Sequence, residues 1–251
     1  MVSKTMKLIE WNIHKMTNDI PVQQFVIDAL VKTDADIICL VEYLTDKGIV
    51  VALERDYWFE ESNSVSGNKV FIAVKKKIAP CGIAAVEKDE VLGCYNFLRI
   101  DFKNNEGEKI SIIGVRMLSP INAKKQTLPL VKYIKKLENT YICAGDFNIK
   151  DYRMNVWFPN IEMEKHIVTE EVLSDISYIY VDKYKSVNGY GSVDHILHSK
   201  DIEVISKYHW GFTKYDSYYP QIEEVKLNTI WDIEAAYPDH AIMEVEVTKR
   251  V

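Results

Sequence analysis

Cysteine is scarce in this 251-residue chain: Cys39, Cys81, Cys94 and Cys143 show no Cys-x-x-Cys spacing. A disulfide framework or a thiolate zinc site would need closer spacing, so neither is expected. Cys39 and Cys143 lie in apolar runs, where a reduced thiol acts as a small hydrophobe, and they read as core thiols of a cytoplasmic protein. No apolar stretch is long enough to span a bilayer. The opening MVSKTMKLIEWNIHK lacks the long apolar segment of a secretory signal, a feature that a secreted form with its signal removed would share. No Pro/Gly/Ser linker, low-complexity tract or repeat divides the chain, so one domain over 1–251 is expected. Excess positive charge is missing too. The formal net charge of −6 supplies no global attraction to polyanions, although a local basic groove remains compatible with it.

What is present reads as strands with interspersed helices. KLIEWNI (7–13) alternates loosely as a strand, and 19–32 carries apolar side chains at helical spacing, with Pro21 near its start. ADIICLVEY (35–43) is a continuous apolar run, as in a strand covered on both faces. A short helical stretch over 46–55 leads to the strand-like runs YWFEE, KVFIAVKK and YNFLRIDF. The last is joined through Lys103-Asn104-Asn105-Glu106-Gly107 to KISIIGVRML, a pattern that predicts a hairpin. A helix over 122–139 is expected to bury Leu128, Val131, Ile134 and Leu137, and the strand YICAGD follows it. Residues 160–190 are ambiguous, while GSVDHILHS and HAIMEVEVTK read as two late strands. This order indicates an α/β domain with more than one sheet layer.

Several strands end in polar residues suited to phosphate or metal chemistry: Asn12, Glu42, Asp146 with Asn148, Asp194, and Asp239-His240 just before the last strand. Asp146 and Asn148 stand two residues apart, so in extended chain they face the same side. Open α/β sheets bind ligands at strand ends. Oxygen donors without a Cys/His cluster suit a hard ion such as Mg²⁺ or Mn²⁺. Such an ion neutralises charge on a phosphoryl group, a further carboxylate deprotonates water, and an acid-held histidine takes part in proton transfer.

IEWNIH, DIICLVEY, GDFNIK, SVDHILHS and YPDHA occur in an order and spacing that resemble the endonuclease/exonuclease/phosphatase superfamily, from about residue 7 to 246. The resemblance implies a four-layer α/β sandwich, two mixed β-sheets packed face to face with helices on the outside. It implies a divalent-metal-dependent phosphoester hydrolase using Mg²⁺ or Mn²⁺, foremost a phosphodiesterase or nuclease acting on nucleic acid. A phosphatase of a small phosphorylated metabolite or lipid headgroup is the alternative, and a catalytically weakened phospholigand- or partner-binding member a minor one. Carried onto this chain, Glu42 is the principal metal-ligating glutamate, with Asn12 and Asp239 beside it. Asp146 positions or deprotonates the nucleophilic water, Asn148 binds the scissile phosphate, and Asp194 holds His240 against that phosphate. One position departs from the pattern. Where many members carry histidine or tyrosine, this chain has Arg116, which can hold a substrate phosphate but cannot protonate a leaving oxygen.

Other polar residues receive plainer readings. His14 is read as a packing or hydrogen-bonding residue, and His195 and His198 are given no catalytic role. Lys75-Lys76-Lys77 reads as a solvated turn, and Lys124, Lys125, Lys132, Lys135 and Lys136 as a mostly solvated helix face, with phosphate steering by Lys124 and Lys125 as the alternative. The aromatic-rich 207–220 reads as a strand pair packed on the core, with base stacking or a substrate-shaping loop as the alternative.

Overall fold

The computed structural model describes residues 5–15, 20–63, 69–88, 96–118, 120–170, 174–181, 187–189, 191–210 and 238–250. Among them the chain forms β1 (Met6–Asn12), α1 (Gln24–Thr33), β2 (Ile37–Tyr43), α2 (Lys47–Leu53), β3 (Tyr57–Glu61), β4 (Lys69–Lys75), β5 (Ile83–Glu87), β6 (Phe97–Lys103), β7 (Lys109–Arg116), α3 (Pro120–Ile134) and β8 (Thr140–Asp146). There follow α4 (Asp151–Trp157), β9 (Glu162–Met163), β10 (Lys165–His166), β11 (Ile179–Val181), β12 (Val187–Gly189), β13 (Asp194–His198), β14 (Ile202–His209) and β15 (Ile242–Lys249). A seven-stranded sheet has the order β10-β14-β15-β1-β2-β4-β3, and a six-stranded sheet the order β5-β6-β7-β8-β13-β9. Both are mixed: β1 runs parallel to β2 but antiparallel to β15, and β7 runs parallel to β8 but antiparallel to β6.

Strand alternation sorts the apolar side chains into layers. Leu8, Cys39, Val41, Val70 and Ile72 face inward from the first sheet and meet Leu98, Ile100, Ile112, Ile142 and Ala144 of the second. Their neighbours Ile9, Trp11, Ile38, Leu40 and Phe71 face outward onto Val26 and Leu30 of α1 and Ile49 and Leu53 of α2. On the far side, Ile113, Val115, Cys143 and Leu197 pack under Leu130, Val131 and Ile134 of α3 and Met154 of α4. The result is the four-layer sandwich that the motifs imply, helix, sheet, sheet, helix. The continuous apolar reading of β2 follows from burial on both its faces. The hairpin forms as expected, β6 and β7 pairing from Phe97 opposite Val115 to Lys103 opposite Lys109.

Two expectations are corrected. Leu128 is 59% exposed, and the buried stripe of α3 runs through Leu130, Val131 and Ile134. Successive steps of three drift around a helix that turns roughly 100° per residue, and α3 ends at Ile134, short of the expected 139, so Leu137 packs against the core from beyond the helix. Lys75 is not part of a solvated turn either. It is buried and donates to the Asp34 carbonyl and carboxylate at 2.6 and 2.5 Å. Lys76 donates to the Glu54 and Arg55 carbonyls. Helix C-termini leave carbonyls unpaired, and an ammonium group satisfies them. Of the aromatic segment, residues 207–209 end β14 and 210 follows it; 211–220 lie outside the described residues.

Two glycines permit the closest approaches. A Cβ on Gly114 would meet Val70 Cγ1 at 2.3 Å across the sheet interface. Gly145 has φ +149°, and a Cβ there would meet the Val115 carbonyl oxygen at 1.8 Å. Gly145→Ala is therefore expected to lower stability by at least about 2 kcal/mol through clash and strain. A fall in the urea midpoint at unchanged slope would confirm this, and an unchanged midpoint would refute it.

Candidate active site

The strand ends named from sequence arrive at one edge of the sandwich. Asn12 closes β1, Glu42 lies one residue from the end of β2, Arg116 closes β7 and Asp146 closes β8. Arg116 pairs in register with Asp146, and Asp194, opening the antiparallel β13, stands opposite Asp146 on its other side. His240 is delivered just ahead of β15, its carbonyl held by Trp11 Nε1 at 3.0 Å and its backbone bridged to Tyr178.

Placing two aspartates directly opposite in neighbouring strands is unfavourable unless a cation intervenes. His240 supplies it. Its Nδ1 lies 2.8 Å from Asp194 Oδ2, and its Nε2 lies 3.3 Å from Asn12 Nδ2. Burial pushes the His240 pKa down, but the Asp194 charge and hydrogen bond outweigh it, with Asp239 and Asp146 adding, and hold it well above the usual range. Burial lifts the Asp146 carboxyl to about 7, Asp194 and Glu42 adding to the rise against the charges of His240 and Arg116. Asp146 Oδ2 accepts from Asn12 Nδ2 at 3.4 Å and from Asn148 Nδ2 at 3.1 Å, while Oδ1 accepts from the Asn148 backbone N–H at 2.8 Å. The other amide hydrogen of Asn148 goes to the Met117 carbonyl at 2.8 Å.

Glu42 is gripped from two sides. Arg116 donates through Nε and Nη2 to Oε1 at 3.0 and 2.5 Å, and His14 Nδ1 faces Oε2 at 3.2 Å. Burial raises the Glu42 carboxyl, but the His14 hydrogen bond, the Arg116 charge and the His14 charge pull it down to about 2. His14 thus has the hydrogen-bonding role expected of it, within the site, and lies 3.7 Å from Asp239 Oδ1. His14, Glu42 and Asn148 all have left-handed backbone, with φ of 48°, 47° and 52°. Such strain in non-glycine residues persists only where the surroundings enforce it.

The oxygen donors of Glu42, Asn12 and Asp239 are of the kind a hard divalent ion takes. Asp239 Oδ1 is buried without a hydrogen-bond partner, which fits an oxygen turned toward a cation. As the side chains stand, no group of three or more His, Cys, Asp or Glu among the described residues is gathered into a metal-holding set.

Two buried residues adjoin the site: Glu10, which the sequence does not single out, and His195, to which it gives no catalytic role. Glu10 is fully buried with neither carboxylate oxygen hydrogen-bonded, and burial, with the charges of Asp194 and Asp146, keeps its pKa well above the usual range. Its signal was a lone acid in the apolar strand KLIEWNI, two residues before Asn12 and on the same face. His195 is buried beneath the loop after Asp146, with Nε2 2.8 Å from the Ile149 carbonyl and Nδ1 3.2 Å from Glu164 Oε1. A carbonyl only accepts, so Nε2 carries a hydrogen, and the carboxylate faces the second nitrogen. Burial lowers the His195 pKa, but the Glu164 hydrogen bond and charge and the Asp151 charge raise it overall. Stability from a raised histidine is complete below its unfolded pKa of about 6.5 and is lost as pH rises through the folded value. His195→Gln should therefore be less stable than wild type by about 3 kcal/mol near pH 6, with the gap narrowing toward pH 9. Urea unfolding at both pH values reads this, and a constant gap would show that the pair does not titrate.

No protein-family model matches the chain, and no curated protein matches it in sequence. Solved structures do match in fold. An endonuclease/exonuclease/phosphatase from Bacteroides vulgatus is 11% identical with a TM-score of 0.69, over 98% of this chain and 100% of that one. TDP2 from D. rerio, complexed with a single-strand DNA product, is 16% identical with a TM-score of 0.68, over 98% and 100%. ANGEL2, a 2′,3′-cyclic phosphatase in complex with adenosine-2′,3′-vanadate, is 12% identical with a TM-score of 0.66, over 99% and 97%. With its two mixed sheets, three apolar layers and flanking helices, this chain has the fold of the endonuclease/exonuclease/phosphatase proteins.

Proposed function

We propose that the chain is a divalent-metal-dependent phosphoester hydrolase whose substrate is a phosphodiester of nucleic acid. The observation that carries this reading is the convergence of Asp146, Asn148, the Asp194–His240 pair, Asn12, Glu42 and Arg116 on one sheet edge. Glu42, Asn12 and Asp239 would hold Mg²⁺ or Mn²⁺, which when bound neutralises charge on the phosphoryl group and polarises water.

The remaining chemistry belongs to side chains. Asp146, held by Asn148 and Asn12, orients a water and accepts its proton. Asp194 accepts from Nδ1 of His240, so the imidazole is locked with Nε2 toward Asn12 and the phosphate position, where its protonated form donates to a phosphate oxygen. Asn148 already spends both amide hydrogens, so presenting one to phosphate exchanges its 3.1 Å bond to Asp146. Arg116 offers a planar fork to phosphate oxygens but no proton to a leaving group. The TDP2 structure with single-strand DNA favours nucleic acid as substrate, and the vanadate complex of ANGEL2 favours a second reading, hydrolysis of a small or terminal phosphoester. Among the described residues no helix is long and apolar enough to cross a membrane.

The test is cleavage of single- and double-stranded DNA, RNA, an abasic duplex, a generic diester and several phosphomonoesters, with Mg²⁺ or Mn²⁺ and with EDTA. Asp146→Ala is expected to lose about 10²–10⁴-fold in rate. Cleavage surviving that substitution would place the chemistry elsewhere, and cleavage of monoesters alone would favour the second reading. Asp194→Asn keeps the hydrogen-bonding shape but removes the charge on His240, and should cost about tenfold or more. Full activity in this variant would mean that His240 needs no ionised partner.

A further inference from the structure

We propose that Arg116 sets the affinity of the site for a divalent cation by competing with that cation for the Glu42 carboxylate. The inference rests on the metal-dependent reading above and adds a residue that opposes the metal. Nε and Nη2 of Arg116 converge on Glu42 Oε1, whose side chain is 7% exposed. Glu42 Oε2 is faced by His14, which comes from the segment after β1. Both oxygens of the carboxylate are therefore engaged by donors from separate elements. A hard cation needs a carboxylate lone pair; the two on Oε1 are taken by the two Arg116 N–H groups, and one of the two on Oε2 faces His14.

A guanidinium cannot relieve the contact by losing its proton, so the pair yields only to exchange of one cation for another. Asp239 Oδ1, buried without a hydrogen-bond partner, lies 3.7 Å from His14 Nδ1 and 3.9 Å from His240 Nε2, so the nearest cationic groups to this acid are also side chains of the site. Exchange has somewhere to lead. The Arg116 side chain is 20% exposed at the end of β7, and its Nε lies 4.0 Å from Asp146 Oδ2. Displaced from Glu42, the guanidinium stays tethered beside the residue proposed to orient the attacking water, where its fork suits a phosphate. Arg116 thus balances the Glu42 charge before the cation binds and contacts phosphate after it. This makes it a residue that determines cation affinity, acting through Glu42.

The test is calorimetric titration of the full chain with MnCl₂, comparing wild type with Arg116→Met and Arg116→Gln. The second variant keeps a neutral donor for Glu42 in case the first fails to fold. Removing a charge-assisted contact that the ion must break should tighten Mn²⁺ binding about tenfold or more. A readout on the wild type is the Arg116 Nε–H resonance, assigned by its loss in either folded variant, which should shift as Mg²⁺ saturates the protein. Equal or weaker Mn²⁺ binding in the folded variants, or a resonance unmoved at saturation, would overturn the competition while leaving the metal-dependent reading intact. Failure of wild type and variants alike to bind Mn²⁺ would overturn that reading and the competition with it.

Discussion

Buried negative charge at one sheet edge is the constraint on which the rest of the site depends. Glu10, Glu42, Asp146, Asp194 and Asp239 meet there, and the cationic or titratable partners interleaved with them are His14, Arg116 and His240. Asp146 and Asp194 are direct cross-strand neighbours, an arrangement that costs energy wherever it is not neutralised. Each base answers a particular acid: His240 faces Asp194, while His14 and Arg116 divide the two oxygens of Glu42. Where no base intervenes, as at Glu10, burial favours the neutral acid.

Holding such charges close requires a scaffold that cannot relax away from them. Sheet hydrogen bonding spaces Arg116, Asp146 and Asp194 at successive strand ends, and the packed interface behind them leaves no room for even one Cβ at Gly114 or Gly145. The strained backbones of His14, Glu42 and Asn148 are stable in that setting because neighbouring hydrogen bonds over-determine them. Asn12 shows how tightly the parts are joined. One side chain touches Asp146, His240 and the His14 backbone, so a shift at any of three elements reaches the other two. Donors held in this way are oriented in advance, which is the condition under which preorganised electrostatics would act on the phosphate proposed as ligand.

Much of the fold was legible because burial on one face or two leaves a simple trace. β2 is buried on both faces and reads as an unbroken apolar run, while the alternating β1 divides its side chains between two core layers. The misreadings have equally specific causes. A three-residue spacing imitates a helical stripe for a turn or two before drifting off the face, which is how Leu128 was misplaced. Lys75 has the composition of solvent-facing charge, yet it satisfies the end of a helix far from it in sequence. His195 looked like a strand residue because it is one. What distinguishes it is the Glu164 carboxylate brought beneath it from another strand region, and no local pattern records that.

The sequence by itself determined the periodicities that make strands and helices, the order of polar strand ends, and the resemblance linking them to a fold. These properties are local or sequential, so they survive without coordinates. Tertiary structure alone decided which polar groups touch: Arg116 on Glu42, Asp194 opposite Asp146, Glu10 sealed without a partner, His195 under the loop that carries Asn148. Contacts between residues dozens of positions apart depend on sheet register and packing, and protonation depends on the burial and neighbours those contacts create.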